Sequence, residues 1–84
     1  MELYFDTHVL ERMKLRKITR SQVIQLINSH PRDFDMWEDS DERDLFHIQS
    51  KTIRSPRSSC PLKVLLYKRG AFKTVMWKGE PDPA

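Results

Sequence analysis

The sequence predicts an α+β fold, with two N-terminal helices packed on an antiparallel sheet of three to five strands. Three observations lead there. Apolar residues recur at helical spacing as far as Ile27, they alternate from Phe34 onward, and prolines and the one interior glycine fall between the alternating runs. The chain of 84 residues is read as one domain, residues 1–84, with a small core, because a chain this short buries only about 60 to 65% of its unfolded surface.

The elements follow in order. Leu3-Tyr4-Phe5 reads as a short strand, and Asp6 or Thr7 then caps a helix from His8 to Arg16. On that helix Val9, Leu10 and Met13 form an apolar stripe, while His8, Arg12 and Arg16 line up at i, i+4 and i+8 on another face. Thr19-Arg20-Ser21-Gln22 is a capping box that starts a second helix, whose buried stripe is Val23, Ile24, Leu26 and Ile27. His30-Pro31 is expected to end it, since a residue before proline is driven out of the helical region. Phe34 to about Trp37 is a strand, and residues 38–42 a polar turn. From Asp44 to Ile53 the alternation is clear, with Phe46 and Ile48 facing one way and Leu45, His47 and Gln49 the other. Residues 54–61 hold two prolines and three serines, hence a surface loop that exposes Arg54 and Arg57. Leu62 to Tyr67 and Phe72 to Trp77 form a hairpin turned at Gly70, and Gly79 to Ala84 reads as irregular and frayed.

Composition narrows the function classes. No apolar run is long enough for a membrane span and no secretory signal opens the chain, so no membrane role and a cytoplasmic location are expected. The single Cys60 excludes an internal disulfide and a cysteine-rich zinc cluster, the histidines lack metal-ligand spacing, and no Gly-rich phosphate loop is present. No metal and no cofactor are expected. Residues 33–44 hold seven carboxylates against one arginine, a net of −6 within a total of +3, which leaves +9 for the rest of the chain. Such a balance favours an anionic partner, RNA first, and an open sheet face suits a single strand better than a duplex. A solvated charged surface explains the charge equally well.

The run Phe5 to Thr19, with Thr7-His8, Arg12-Met13 four residues later and an Arg16-x-Ile18-Thr19 step, resembles the signature of a family of small bacterial proteins. The likeness continues through Gln22 to Ile27 and through the last strand, Phe72-Lys73-Thr74-Val75-Met76-Trp77. That family is similar in fold to the RelE, ParE and BrnT toxins and the wider barnase-like ribonuclease toxins. The resemblance implies a metal-independent endoribonuclease toxin that arrests growth, free or delivered, with RNA, the ribosome and a neutralising antitoxin or immunity protein as partners. Two departures stand out: the acidic segment 34–44 and the inserted loop 54–61.

Metal-free RNA cleavage needs a base for the 2′-hydroxyl, cations for the phosphate and an acid for the leaving oxygen. His8 is the first candidate for acid or base, with Arg12 gripping phosphate, Thr74 orienting His8 or phosphate, and His47 as the second acid or base. Arg16, Lys51, Arg54, Arg57, Lys63, Lys68, Arg69 and Lys73 are the expected RNA-binding residues, and Trp37, Tyr67 and Trp77 are candidates for base stacking. Each has a plainer reading: a capping histidine, a helix ion pair, an ordinary strand residue, a core aromatic. A non-catalytic module that binds nucleic acid or a protein partner through the same fold remains the alternative.

Overall fold

A computed structural model describes residues 2 to 83. It contains α1 (Thr7–Arg16), α2 (Arg20–Ile27), a 3-10 turn (Pro31–Asp33), β1 (Phe34–Glu38), β2 (Leu45–Arg54), β3 (Pro61–Tyr67) and β4 (Phe72–Trp77). The strands pair in chain order as one antiparallel sheet, β1-β2-β3-β4, and the helices precede it in sequence, as the alternation and spacing lead one to expect.

Asp6 caps α1 by accepting from the Val9 amide, and Lys17 closes it in the left-handed region. Thr19 and Gln22 satisfy each other's backbone amides at the start of α2, the full capping box. The end of α2 differs from expectation. The helix stops at Ile27, and His30 instead caps the 3-10 turn by accepting from the Arg32 amide. Leu3-Tyr4-Phe5 likewise makes no strand; it contributes a single parallel bridge, Tyr4 to Ala71. The bridge explains Gly70. At φ +100° a Cβ there would lie 2.0 Å from the Glu2 carbonyl oxygen, so only glycine lets the N-terminal segment cross the β3–β4 turn.

The core lies between the helices and one sheet face, where Val9, Met13, Val23 and Leu26 meet Ile48, Leu62, Val64, Leu66, Phe72, Val75 and Trp77. These burials supply the main stabilisation, at roughly 1.5 to 3 kcal/mol for each large side chain. A register shift between Leu65 and Leu66 leaves Lys73 as an extra residue in β4. It sets the facing of β4. Phe72 turns to the core with Val75 and Trp77, while Thr74 and Met76 stay on the other face, paired with Leu65 and Lys63. The helices cover the sheet unevenly, α1 against β4 and α2 against β2. Beside β1 the same face keeps an apolar groove of about 240 Å³ lined by Ile27, Phe34, Met36, Phe46, Ile48 and Leu66. Among the described residues no helix is long and apolar enough to cross a membrane.

Residues 79–83, expected to fray, are tied down. Arg16 grips Asp82, Ser55 and Ser58 donate to Glu80, and Arg57 donates to the Pro81 carbonyl.

Candidate functional site

The face of the sheet away from the helices gathers polar and aromatic side chains because alternation sends every second residue there. From β1 come Asp35 and Trp37, from β2 His47 and Gln49, from β3 Lys63, Leu65 and Tyr67, and from β4 Thr74 and Met76. Register places Trp37 opposite His47, and their rings stack with centroids 5.1 Å apart and planes within 15°. The Lys63 ammonium lies 5.0 Å from the centre of the Trp37 ring.

Between β1 and β2 the acidic segment folds into a turn that returns to this face. Asp39 Oδ1 accepts from the amides of Asp41 and Glu42, and its Oδ2 lies 2.6 Å from His47 Nε2. The His47 hydrogen bond, then the Asp41 amide, holds the Asp39 carboxyl below the usual carboxylate range. Glu42 takes the Tyr67 hydroxyl on one oxygen and the Lys73 ammonium, 2.6 Å away, on the other. Its carboxyl is held low by Lys73 first and Tyr67 second, and the Tyr67 and Lys73 values are pushed up in return, chiefly by Glu42. Lys51 pairs with Asp35 at 3.5 Å. Two carboxylates of the acidic segment, Asp35 and Glu42, thus neutralise Lys51 and Lys73 from within the chain.

Lys63 escapes this. It is 6% exposed, and among the described residues no carboxylate lies within 4 Å of its nitrogen. Burial pushes its ammonium below the ordinary lysine value, and the charge of Lys78 adds to the effect. A lysine so placed gives up a proton more readily than a solvated one. His47 is differently constrained: with Nε2 on Asp39, its other ring nitrogen, Nδ1, is buried and without a hydrogen-bond partner. In this arrangement His47 stacks on Trp37 with one nitrogen on Asp39 and the other buried.

The remaining sequence candidates lie elsewhere. His8 and Arg12 are exposed on α1, which packs on the opposite face of the sheet, so His8 and His47 do not share a site. Thr74 does not orient His8. Its hydroxyl accepts from Arg16, which reaches past the edge of β4. Arg54 donates to the Ser59 carbonyl and Arg57 to that of Pro81, so the loop arginines serve the loop and the segment after β4. Arg69 lies over the Tyr67 ring at 4.2 Å, and Lys68 is exposed beside it. Trp77, a stacking candidate, is core and donates to the Arg16 carbonyl. Asp39 and Glu42 escaped the sequence reading as site residues; their spacing from Trp37 across a short turn was the available signal. No three metal-ligating side chains gather among the described residues.

Comparison with family models, curated proteins and solved structures finds no match. The resemblance to ribonuclease toxins therefore rests on the quoted sequence motifs alone.

Proposed function

We propose that the open sheet face binds single-stranded RNA and cleaves it without a metal: Lys63 as the neutral amine takes the 2′-hydroxyl proton as that oxygen bonds to phosphorus, the bond from phosphorus to the 5′ oxygen breaks, water protonates the departing 5′ oxygen, and a base stacks on Trp37. The observation that carries this reading is Lys63 itself, a residue only 6% exposed, without a carboxylate within 4 Å, its nitrogen held against an aromatic ring. Folding seldom leaves a lysine in that state without use, because the burial is unfavourable for the charge. His47 and Asp39 fix the Trp37 ring, and Lys78 supplies positive charge nearby. A neutralising partner, the ribosome and growth arrest belong to this reading through the sequence resemblance only.

The buried Nδ1 of His47 favours a second reading, in which the same face binds RNA and cuts nothing. One experiment separates them. Purified protein is incubated with a labelled single-stranded RNA in a chelator, and the products are examined for 2′,3′-cyclic phosphate ends. Cleavage that Lys63→Met lowers by about two to four orders of magnitude, the usual share of a positioned acid or base, supports the enzyme. Binding with intact RNA supports the module. Neither binding nor cleavage at low salt overturns both.

A further inference from the structure

Arg16 is held in an unusual way for a helix arginine. Its Nη1 donates to the Val75 carbonyl at 2.8 Å and to Thr74 Oγ1 at 3.3 Å, and its side chain is only 17% exposed. These contacts fix the guanidinium plane against the edge of β4. The opposite side of the fork, Nε and Nη2, meets the two oxygens of Asp82 at 2.8 and 3.2 Å. This side-on, two-oxygen grip is the one a guanidinium applies equally to a carboxylate and to a phosphate.

The two partners are not held equally. Asp82 has a 42% exposed side chain, and no hydrogen bond other than those from Arg16 reaches its carboxylate. It belongs to Gly79-Glu80-Pro81-Asp82-Pro83, a segment outside the helices and strands. Asp82 is the exposed partner and has no other hydrogen bond, while Arg16 keeps its contacts to Val75 and Thr74, so the carboxylate can leave while the guanidinium stays in place. Arg12 also acts on this carboxyl: Asp82 is held below its ordinary value by Arg16 first, with Arg12 adding to the effect. A recess of about 190 Å³ opens between Arg16, Met76, Trp77, Gly79, Glu80 and Asp82. An anion bound there has room beside it.

We propose that Arg16, with the Thr74 hydroxyl beside it, forms a phosphate-binding site at the edge of β4, that Asp82 fills it as a stand-in anion, and that the backbone phosphate of a bound RNA strand displaces Asp82. The ligand class rests on the RNA reading above; the anion site does not. Thr74 and Met76 face the same side of the sheet as Lys63, so a strand lying across the open face runs out over this edge. The segment after β4 then competes with RNA for one guanidinium.

The test measures binding of a fluorescent twelve-nucleotide oligouridylate by anisotropy at fixed low salt. Asp82→Asn keeps the shape and removes the charge, and is expected to tighten binding at least fivefold. Asp44→Asn removes the same charge at the other end of the sheet, at a position whose φ of 61° asparagine tolerates, and is expected to tighten it less than twofold. In an Arg16→Lys background, which keeps the charge and loses the fork, the gain from Asp82→Asn should vanish. Equal gains from Asp82→Asn and Asp44→Asn, or a gain that persists without Arg16, overturn the proposal. A second arm titrates inorganic phosphate against the Arg16 Nε–H resonance at constant ionic strength. A saturating shift at least fivefold tighter in Asp82→Asn than in the wild type supports the site even if no variant binds RNA, in which case the RNA reading alone fails. No saturable shift in either protein removes the site.

Discussion

Replacing Lys63 by methionine should make the protein more stable and less able to bind RNA, and the opposite signs are the point. Methionine keeps the unbranched stem that fills the space beside Gln49, Met76 and Trp37, and it removes an ammonium with no carboxylate within 4 Å. Relieving a functional group of that kind commonly yields about 0.5 to 2 kcal/mol. For a domain of this length, 1 kcal/mol moves Tm by about 4 to 8 °C, which differential scanning calorimetry reads easily. The pH dependence gives an independent sign. The folded Lys63 value lies below the unfolded one, so between the two the unfolded chain binds more protons and stability rises with pH. Stability of the wild type relative to Lys63→Met should therefore rise through that alkaline window, and the gain from the substitution should shrink there.

On RNA, at a pH below the folded Lys63 value where the resting amine is protonated, the same change removes one phosphate contact, which lowers the slope of log affinity against log salt by about 0.7 for a single strand. The reasoning fails if Lys63→Met destabilises the protein by more than about 1 kcal/mol, since the ammonium would then be a structural group. It fails equally if the salt slope is unchanged, for then Lys63 does not meet RNA.

Other expectations follow from single contacts. Gly70→Ala forces a Cβ into the Glu2 carbonyl at a positive φ, and should cost at least 1 to 3 kcal/mol in urea unfolding while leaving the hairpin strands paired. The carboxyls of Asp39, Glu42, Glu80 and Asp82 are all lowered in the fold, so their contribution is present above the ordinary carboxylate range and is lost as pH falls through the folded values. Asp39→Asn and Glu42→Gln should each make the acid limb of a pH–stability curve shallower. His8→Ala, on an exposed helix position, should change stability by no more than about 0.5 kcal/mol, and RNA cleavage should survive it. A large loss of cleavage on His8→Ala would return the chemistry to the helix face.

What the sequence made legible was local. The capping box at Thr19 and Gln22, the stripe through Val9 and Met13, and the turn at Gly70 depend on neighbours within a few residues, and each formed as its pattern indicates. The facing of β2 was legible for the same reason, since alternation of Phe46 and Ile48 with His47 needs no partner to be read. The bulge at Lys73 was not. A bulge depends on how β3 and β4 register, and it turned Phe72 to the core and left Thr74 on the other face. Leu3-Tyr4-Phe5 has the composition of a strand, yet its only ladder partner is Ala71. The segment after β4 has the prolines of a frayed end, and what fixes it is a set of hydrogen bonds donated by Arg16, Ser55 and Arg57 from far away in sequence.

The same long-range pairing explains why net charge misleads about where RNA would bind. The +9 outside the acidic segment suggests a broadly basic protein. Folding then lays Asp35 on Lys51 and Glu42 on Lys73, so two cations that the sum counts are cancelled in place. At the β4 edge Asp82 does the same to Arg16, and Glu80 lies 3.6 Å from Arg57. A carboxylate within hydrogen-bond reach cancels a cation far more effectively than one elsewhere on the surface, because screening in salt water leaves only near charges unattenuated. The attraction of this protein for a polyanion is therefore set by where the cations without such a partner lie rather than by the total. Lys63 is the one of these at the centre of the open face, and Arg16 joins it only when Asp82 leaves. An anion that reaches both must cross Trp37, Met76 and Thr74, a path with an aromatic platform at one end and a guanidinium fork at the other.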